Sequence, residues 1–317
     1  MLTTLTQTFR NWLFRPQIAS GTVTLNQRRI FILPTRRGLG FACILLLMLL
    51  GDINYNLSLG YVLTFLLGTT AAMTMLHAFR NMAQLEIHAG HNEPAFAGGT
   101  ASFVFYFKNN SKLPRFQLKL SQTKEHFTCF DLAALAHQKV ELMLPAQQRG
   151  WLDSGRLTLS TEFPLGLFYA WSYLHFDTRC LIYPRPGPTS PLPENSAQEG
   201  TGKITGTGDE DFAGLRAYVA GDPLPRIAWK TLARGQDLQV KQFNAQQGSE
   251  LWLDETLLSE RALEQKLEQL TRWVLDAEAQ GFRYGLRLSG VEIVPQQGSA
   301  HLAECLRTLA LYRLEPR

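Results

Sequence analysis

GLGFACILLLMLLGDINYNLSLGYVLTFLLGTTAAMTMLHAF, residues 38–79, contains one acid, Asp52, and neither Lys nor Arg. On either side of Asp52 lie uncharged runs at 38–51 and 53–79, which read together as a two-helix membrane hairpin over 38–80. The second run exceeds the roughly 20 residues that a helix needs to cross the hydrocarbon core. The first would cover only about 21 Å at 1.5 Å per residue, so it must thin the bilayer or borrow turns beyond Asp52. The apolar stretch starts too far into the chain for a cleaved signal peptide, and no small-residue cleavage motif follows it. Were only one run to cross, the other would lie in the interface and everything after residue 80 would change sides.

Charge orients the hairpin. The 317 residues carry 31 Lys+Arg and 27 Asp+Glu, with 45% hydrophobic residues, a composition for folded protein with room for two domains. Arg10, Arg15, Arg28, Arg29, Arg36 and Arg37 all precede the hairpin in a basic segment, 1–37, that has no acid, and Arg80 closes it. The positive-inside rule therefore puts both ends in the cytoplasm, with Asp52, Asn54, Tyr55 and Asn56 as the short outer link. Phe9, Trp12, Leu13 and Phe14 around Arg10 and Arg15 fit either a helix on the anionic inner leaflet or a loose tail. Beyond residue 51, 25 basic residues face 27 acidic ones, which excludes a general nucleic-acid binder. Cys43, Cys129, Cys180 and Cys305 are widely spaced without a CxxC pair, against a disulfide framework or a zinc knuckle.

Residues 84–184 follow the period of strands. Phe103, Phe105 and Phe107 alternate with Val104, Tyr106 and Lys108, and Phe116, Leu118 and Leu120 with Gln117, Lys119 and Ser121. Turn signals at Gly98, Asn109, Gly150 and Gly155 separate short strands, predicting a β-sandwich of immunoglobulin-like size, about 90–100 residues. Residues 185–208, rich in proline and glycine, cannot bury a core and read as a flexible linker. Its EGTGKIT segment is not a phosphate loop, since Ala197 stands where the first glycine belongs and Ile204 replaces the magnesium-binding hydroxyl.

Residues 209–317 mix helix and strand. A strand ending at Asp254 precedes a helix, capped by Ser259, whose Leu263, Leu267, Leu270, Val274 and Ala277 form one stripe. Tyr284, Leu286 and Leu288 then alternate, so strand, crossover helix and strand imply parallel neighbours, followed by a hairpin through Ser289 and Gly290 and a closing helix near 300–312. The fold class is thus α+β multidomain: helical hairpin, β-sandwich, and a partial α/β domain.

One segment is dense in groups that need partners. Residues 211–243 read DFAGLRAYVAGDPLPRIAWKTLARGQDLQVKQF, with Leu215, Arg216, Tyr218, Gly221, Asp222, Arg226, Trp229, Lys230 and Arg234 at its centre. Gly221-Asp222-Pro223 is a turn signal that an arginine fork could lock. Trp229 with Arg216 or Arg226 could instead anchor a protein partner. This pattern resembles the bacterial family called domain of unknown function fifty-eight, in its acidic-Phe pair, Leu-Arg-x-Tyr, Gly-Asp, Arg-Ile-x-Trp-Lys and following basic strand, Val240-Lys241-Phe243. Ala217 and Ala228 depart from it mildly, and the likeness extends to FPLGLF at 163–168, YPRP at 183–186 and the hairpin. The resemblance implies a C-terminal half like a von Willebrand A domain. There an Asp-x-Ser-x-Ser motif binds magnesium; here Asp254 and Thr256 keep two positions and Leu258 supplies no oxygen, so the metal position is degenerate and no cofactor is expected.

Other chemistry is sparse. His88, His91 and Glu93 have a ligand-like spacing, but i and i+3 point to opposite faces of a strand. No HExxH or GxSxG occurs, and no cysteine is read as having a histidine nearby in sequence, which leaves neighbours in space open. The resemblance implies a non-enzymatic adaptor in the bacterial inner membrane, multi-pass, with its soluble domains cytoplasmic. Its implied partners are a MoxR-type AAA+ ATPase, a transglutaminase-like membrane protein and the lipid bilayer, in assembling or remodelling envelope components. Two rivals remain: a hydrolase or transferase using Asp222, Arg226 and Lys230, and a structural subunit acting through the hairpin alone.

Overall fold

The structure, a computed structural model, describes residues 21–26, 29–193, 212–217, 239–243, 251–258 and 262–314. Over these residues the chain is a mixed α+β protein, mostly sheet, with four helices of which two are apolar. It divides into two units, Met1–Arg185 with Ala310–Arg317, and Pro186–Leu309.

In the first unit, β1 (Val23–Thr24) and β2 (Phe31–Pro34) precede the helices α1 (Arg36–Tyr55) and α2 (Ser58–Met82). Then come β3 (Leu85–Ala89), β4 (Ala95–Phe96), β5 (Thr100–Asn109), β6 (Arg115–Ser121), β7 (Phe127–Leu132), β8 (His137–Pro145), β9 (Gly150–Asp153), β10 (Arg156–Thr161), β11 (Phe168–His175) and β12 (Arg179–Tyr183). They form sheets of order β1-β3-β5-β8, β2-β11-β10-β6-β7 and β4-β12-β9. The alternation in β5 buries Phe103, Phe105 and Phe107, which join Leu142 of β8, Leu118 and Leu120 of β6, and Leu157 and Leu159 of β10 in one core. The segment expected to be a basic tail therefore contributes strands: β1 pairs with β3 and β2 with β11. Phe9 to Arg15 lie outside the described residues.

Phe116 breaks the expected period. A register irregularity lies between Arg115 and Leu118, and Gln117 takes φ 49° while its N–H donates to Asp131 Oδ1 at 2.7 Å. Arg115 turns inward and Phe116 outward, the pattern of a β-bulge. The buried Arg115 guanidinium donates to Ala83 O at 3.1 Å and Asn109 Oδ1 at 3.3 Å; burial, then the nearby Arg80 charge, lowers its pKa.

The hairpin differs from expectation at its tip. Both helices are long and apolar enough to cross a membrane. The first runs 20 residues, about 30 Å, because it continues through Asp52 to Tyr55 and starts at Arg36. Asp52 is not part of the outer link. It is buried between the helices, accepting from Thr64 Oγ1 at 2.7 Å, and Gly60 leaves it room, since a Cβ there would collide with the carboxylate. The turn shrinks to Asn56, in the left-handed region, and Leu57.

The other ends of the helices are fastened to the strands. Asn81 Nδ2 donates to Phe116 O at 2.7 Å and Thr161 Oγ1 at 3.0 Å, while its Oδ1 accepts from Phe116 N at 2.9 Å. Thr35 caps α1 by accepting from Gly38 N at 3.1 Å, and its hydroxyl donates to Gly166 O at 2.6 Å. Gly38 allows this approach, because a Cβ would strike Leu167 O.

The second unit holds β13 (Phe212–Ala217), β14 (Gln239–Phe243), β15 (Leu251–Asp254), α3 (Leu263–Ala279), β16 (Tyr284–Leu288), β17 (Val291–Gln296) and α4 (Ser299–Leu311), which reaches its boundary. β15 and β16, joined through α3, are parallel, and β17 returns antiparallel. The N-cap of α3 is Ala262, with no side-chain cap, rather than Ser259, which lies outside the described residues. The expected linker begins as a docked segment: Gly187 N donates to Glu268 O at 2.8 Å, and Gln269 Nε2 and Trp273 Nε1 both donate to Ser190 Oγ, at 2.7 and 2.9 Å.

Candidate binding groove

The outer face of the five-stranded sheet carries the strongest concentration of recognition chemistry. In β11, Ala170, Ser172 and Leu174 are buried, so Tyr169, Trp171 and Tyr173 stand on the opposite face. The antiparallel register sets Trp171 between Phe31 of β2 and Ser160 of β10, and Tyr173 beside Thr158. Lys119 of β6 follows Ser160 across the sheet, with Cys129 of β7 beyond it. These rows line a groove of about 1210 Å³, together with Leu33, Gln117, Gln122, Lys124, Asp131, Arg156 and Glu162. That volume exceeds the roughly 300–1,000 Å³ of a small-molecule pocket and suits a longer occupant.

Its aromatic wall is continuous. Tyr169 stacks on Trp171 with centroids 5.4 Å apart, and Phe31 lies 5.6 Å from Trp171 and 6.4 Å from Tyr173. Arg156 sits 3.5 Å over the Tyr173 ring and Lys119 3.8 Å over Phe127, arrangements that hold a cation against an aromatic face. Among the described residues, no carboxylate pairs with Arg156, Lys119 or Lys124. The acids of the groove, Asp131 and Glu162, lie where β7 and β10 end. Trp, Tyr and Arg in one concave patch are the residue types that dominate protein-binding energetics. The signal was present in the sequence as the alternation Tyr169, Trp171, Tyr173, but only strand pairing brings Arg156 and Lys119 to it.

The residues singled out from the sequence are distributed differently. Leu215 and Arg216 stand on β13, opposite Lys241 and Val240 of β14, so strand pairing joins the two ends of the motif. Tyr218, Gly221, Asp222, Arg226, Trp229, Lys230 and Arg234 lie outside the described residues. At the degenerate metal position, Thr256 N and Oγ1 donate to the same Asp254 Oδ1, at 2.8 and 2.7 Å, so both groups serve a local turn. Among the described residues, no three His, Cys, Asp or Glu side chains converge as metal ligands. His88 stacks on Tyr106, 5.1 Å away on the paired strand β5.

One expectation is corrected. Cys305 does have a histidine beside it: α4 places His301 one turn earlier, with Sγ 3.6 Å from Nε2. The pair is a core element. Both side chains are buried, and Nε2 also lies 2.7 Å from Tyr284 O, which can only accept, so that nitrogen carries the hydrogen. Burial, with Glu304 and Glu278 nearby, pushes the Cys305 thiol up to about 12, the reverse of an activated nucleophile. No protein-family model matches the chain, and no curated protein matches it.

Proposed function

We propose that this protein is a membrane-anchored, cytosol-facing adaptor whose groove on the five-stranded sheet receives an acidic segment of a partner protein. The observation that carries the proposal is the groove itself: Tyr169, Trp171 and Tyr173 beside cations that no described carboxylate neutralises. The apolar hairpin supports the anchor, and Arg36, Arg37 and Arg80 at its sheet-joined ends support a cytoplasmic orientation. The paired sheets sharing one core fit an immunoglobulin-like sandwich. A parallel β15–β16 pair joined through α3 fits part of a von Willebrand A-like domain. With the motif of residues 211–243, these features support membership of the family of domain of unknown function fifty-eight, and with it a MoxR-type AAA+ ATPase as the partner, in company with a transglutaminase-like membrane protein.

The test is co-purification of the full chain with that ATPase from membranes in the presence of ATP. Trp171→Ala and Arg156→Ala, half-buried on the outer face, should each cut capture at least tenfold in protein that still melts cooperatively, about 1.4 kcal/mol of binding. Full capture by both variants, with loss in Trp229→Ala, would move the contact to the motif. No capture by the wild type would overturn the partner.

A further inference from the structure

We infer that the end of the β region from which the helices leave is a foot that rests on an anionic lipid surface, an inference that depends on the hairpin being a membrane anchor. At this end β2, β7 and β10 finish and β3, β6, β8 and β11 begin. It carries Leu33, Leu113, Phe116, Leu135 and Leu165, each a large apolar side chain that is 39 to 64% exposed. Two of these are held against the helices by backbone bonds. The bulge at Gln117 turns Phe116 outward while both its backbone groups bond to Asn81 of α2. Leu165 lies in the turn whose Gly166 carbonyl accepts from Thr35, the cap of α1. The other loops join the same end, since Leu135 N donates to Ser111 O and Asn109 Nδ2 to both Leu113 O and Ala133 O.

What covers these side chains follows from continuity and charge. The apolar surfaces of α1 and α2 run directly into the foot, and Arg36, Arg37, Arg80 and Lys112 are exposed around it. Apolar side chains at a bilayer boundary ringed by Lys and Arg are the composition that binds an anionic leaflet. Two exposed acids, Asp131 and Glu162, share this end where β7 and β10 finish, on the side that opens into the groove, against the four cations around it. In a bulged strand the cheaper choice would bury Phe116; instead Arg115 occupies the inside and the aromatic ring faces out.

The full chain, reconstituted in vesicles of phosphatidylglycerol and phosphatidylethanolamine, tests this with single reporter thiols. Cys43→Ser and Cys129→Ser remove the exposed native thiols. Phe116→Cys, Leu165→Cys and Leu135→Cys place a bimane on the foot, with Phe65→Cys in α2 and Met143→Cys on β8 as references. Lipids spin-labelled near the headgroup should quench positions 116, 165 and 135 at least about twofold more than 143, and this excess should shrink in purely zwitterionic vesicles. Deep-labelled lipids should quench position 65. Quenching at 65 with positions 116, 165 and 135 no different from 143 would overturn the foot and leave the anchor standing. No quenching at 65 would overturn the anchor, and the foot with it.

Discussion

The two units bury their polar groups to different ends. In the first, Asn81, Thr35, Arg115 and Asn92 are an amide, a hydroxyl, a guanidinium and another amide, and they bond mainly to backbone atoms far away in sequence. Asn92, for example, donates to Thr178 Oγ1 and Arg179 O and accepts from Val104 N. In the second, the buried groups include a phenol, a thiol and an imidazole packed together: Tyr284 donates to Glu278 Oε2 at 3.0 Å, with His301 against its ring and Cys305 one turn beyond. Fixed-charge or neutral donors make joints that hold at any ordinary pH, whereas the phenol and the thiol, held protonated by burial, make a core that alkali attacks. The Asn81, Thr35, Arg115 and Asn92 joints of the first unit therefore fail when a donor is removed and not when pH changes, whereas the Tyr284 and Cys305 cluster of the second loosens in alkali.

The largest expected effect breaks the first half of that contrast. Asn81→Leu leaves Phe116 N–H without its acceptor, and leaves Phe116 O and Thr161 Oγ1 only their longer bonds, from Thr161 Oγ1 at 3.4 Å and from Phe163 N at 3.2 Å, in a place where water has little access. A cost of roughly 2–3 kcal/mol follows from stranding the amide and weakening the other two bonds, read as a lower melting temperature of the full chain in detergent. A shift under about 0.5 kcal/mol would mean that the helix is not fastened there.

Alkali tests the second half. The Cys305 thiol is raised from its ordinary 9.0 to about 12, so the unfolded chain loses that proton first as pH rises. Stability of the second unit is thus full below about pH 9 and declines between there and about pH 12. Cys305→Ala should move the alkaline unfolding midpoint upward, while Cys129→Ala, on an exposed strand, should not. Tyr284, also raised by burial and by Glu278, will keep part of the alkaline limb in either variant. Thr35→Ala should cost less than the Asn81 change, about 1 kcal/mol for a lost helix cap, and should do so equally at pH 6 and pH 10.

The contrast also explains what could be read from the sequence. Hydrophobic period predicts the two apolar helices, the core face of β5 and the parallel pair around α3, because in each the burial of a face decides the structure. Departures occur where a single polar bond outweighs the period. Asp52 looks like a loop residue until Thr64 and Gly60 make room for it inside the hairpin. Phe116 looks like a core residue until Asn81 and the bulge turn it outward. The groove was half legible: Tyr169, Trp171 and Tyr173 alternate openly, but the cations arrive from β6 and β10, and their register is set by long-range pairing that no local pattern encodes. His301 and Cys305 were legible and were missed, since their spacing of four is one helical turn.

The smallest expected effect lies at the tip of the hairpin, where the buried carboxylate of Asp52 is bonded from one helix to the other. Thr64 Oγ1 donates to Asp52 Oδ2 at 2.7 Å between two helices of apolar composition. Hydrogen bonds between membrane helices average only about 0.6 kcal/mol, because the separated helices also find partners for their polar groups. Thr64→Val should therefore cost about that much in a denaturant titration of the reconstituted protein, well below the Asn81 change. The two residues lie on the same helix, both buried and both bonded, so the ratio of their effects isolates what differs: Asn81 ties the helix to strand backbone through three bonds, and Thr64 ties it to a side chain of the neighbouring helix through one. A Thr64→Val cost above roughly 2 kcal/mol would make the tip a joint as rigid as the foot and remove the distinction between them.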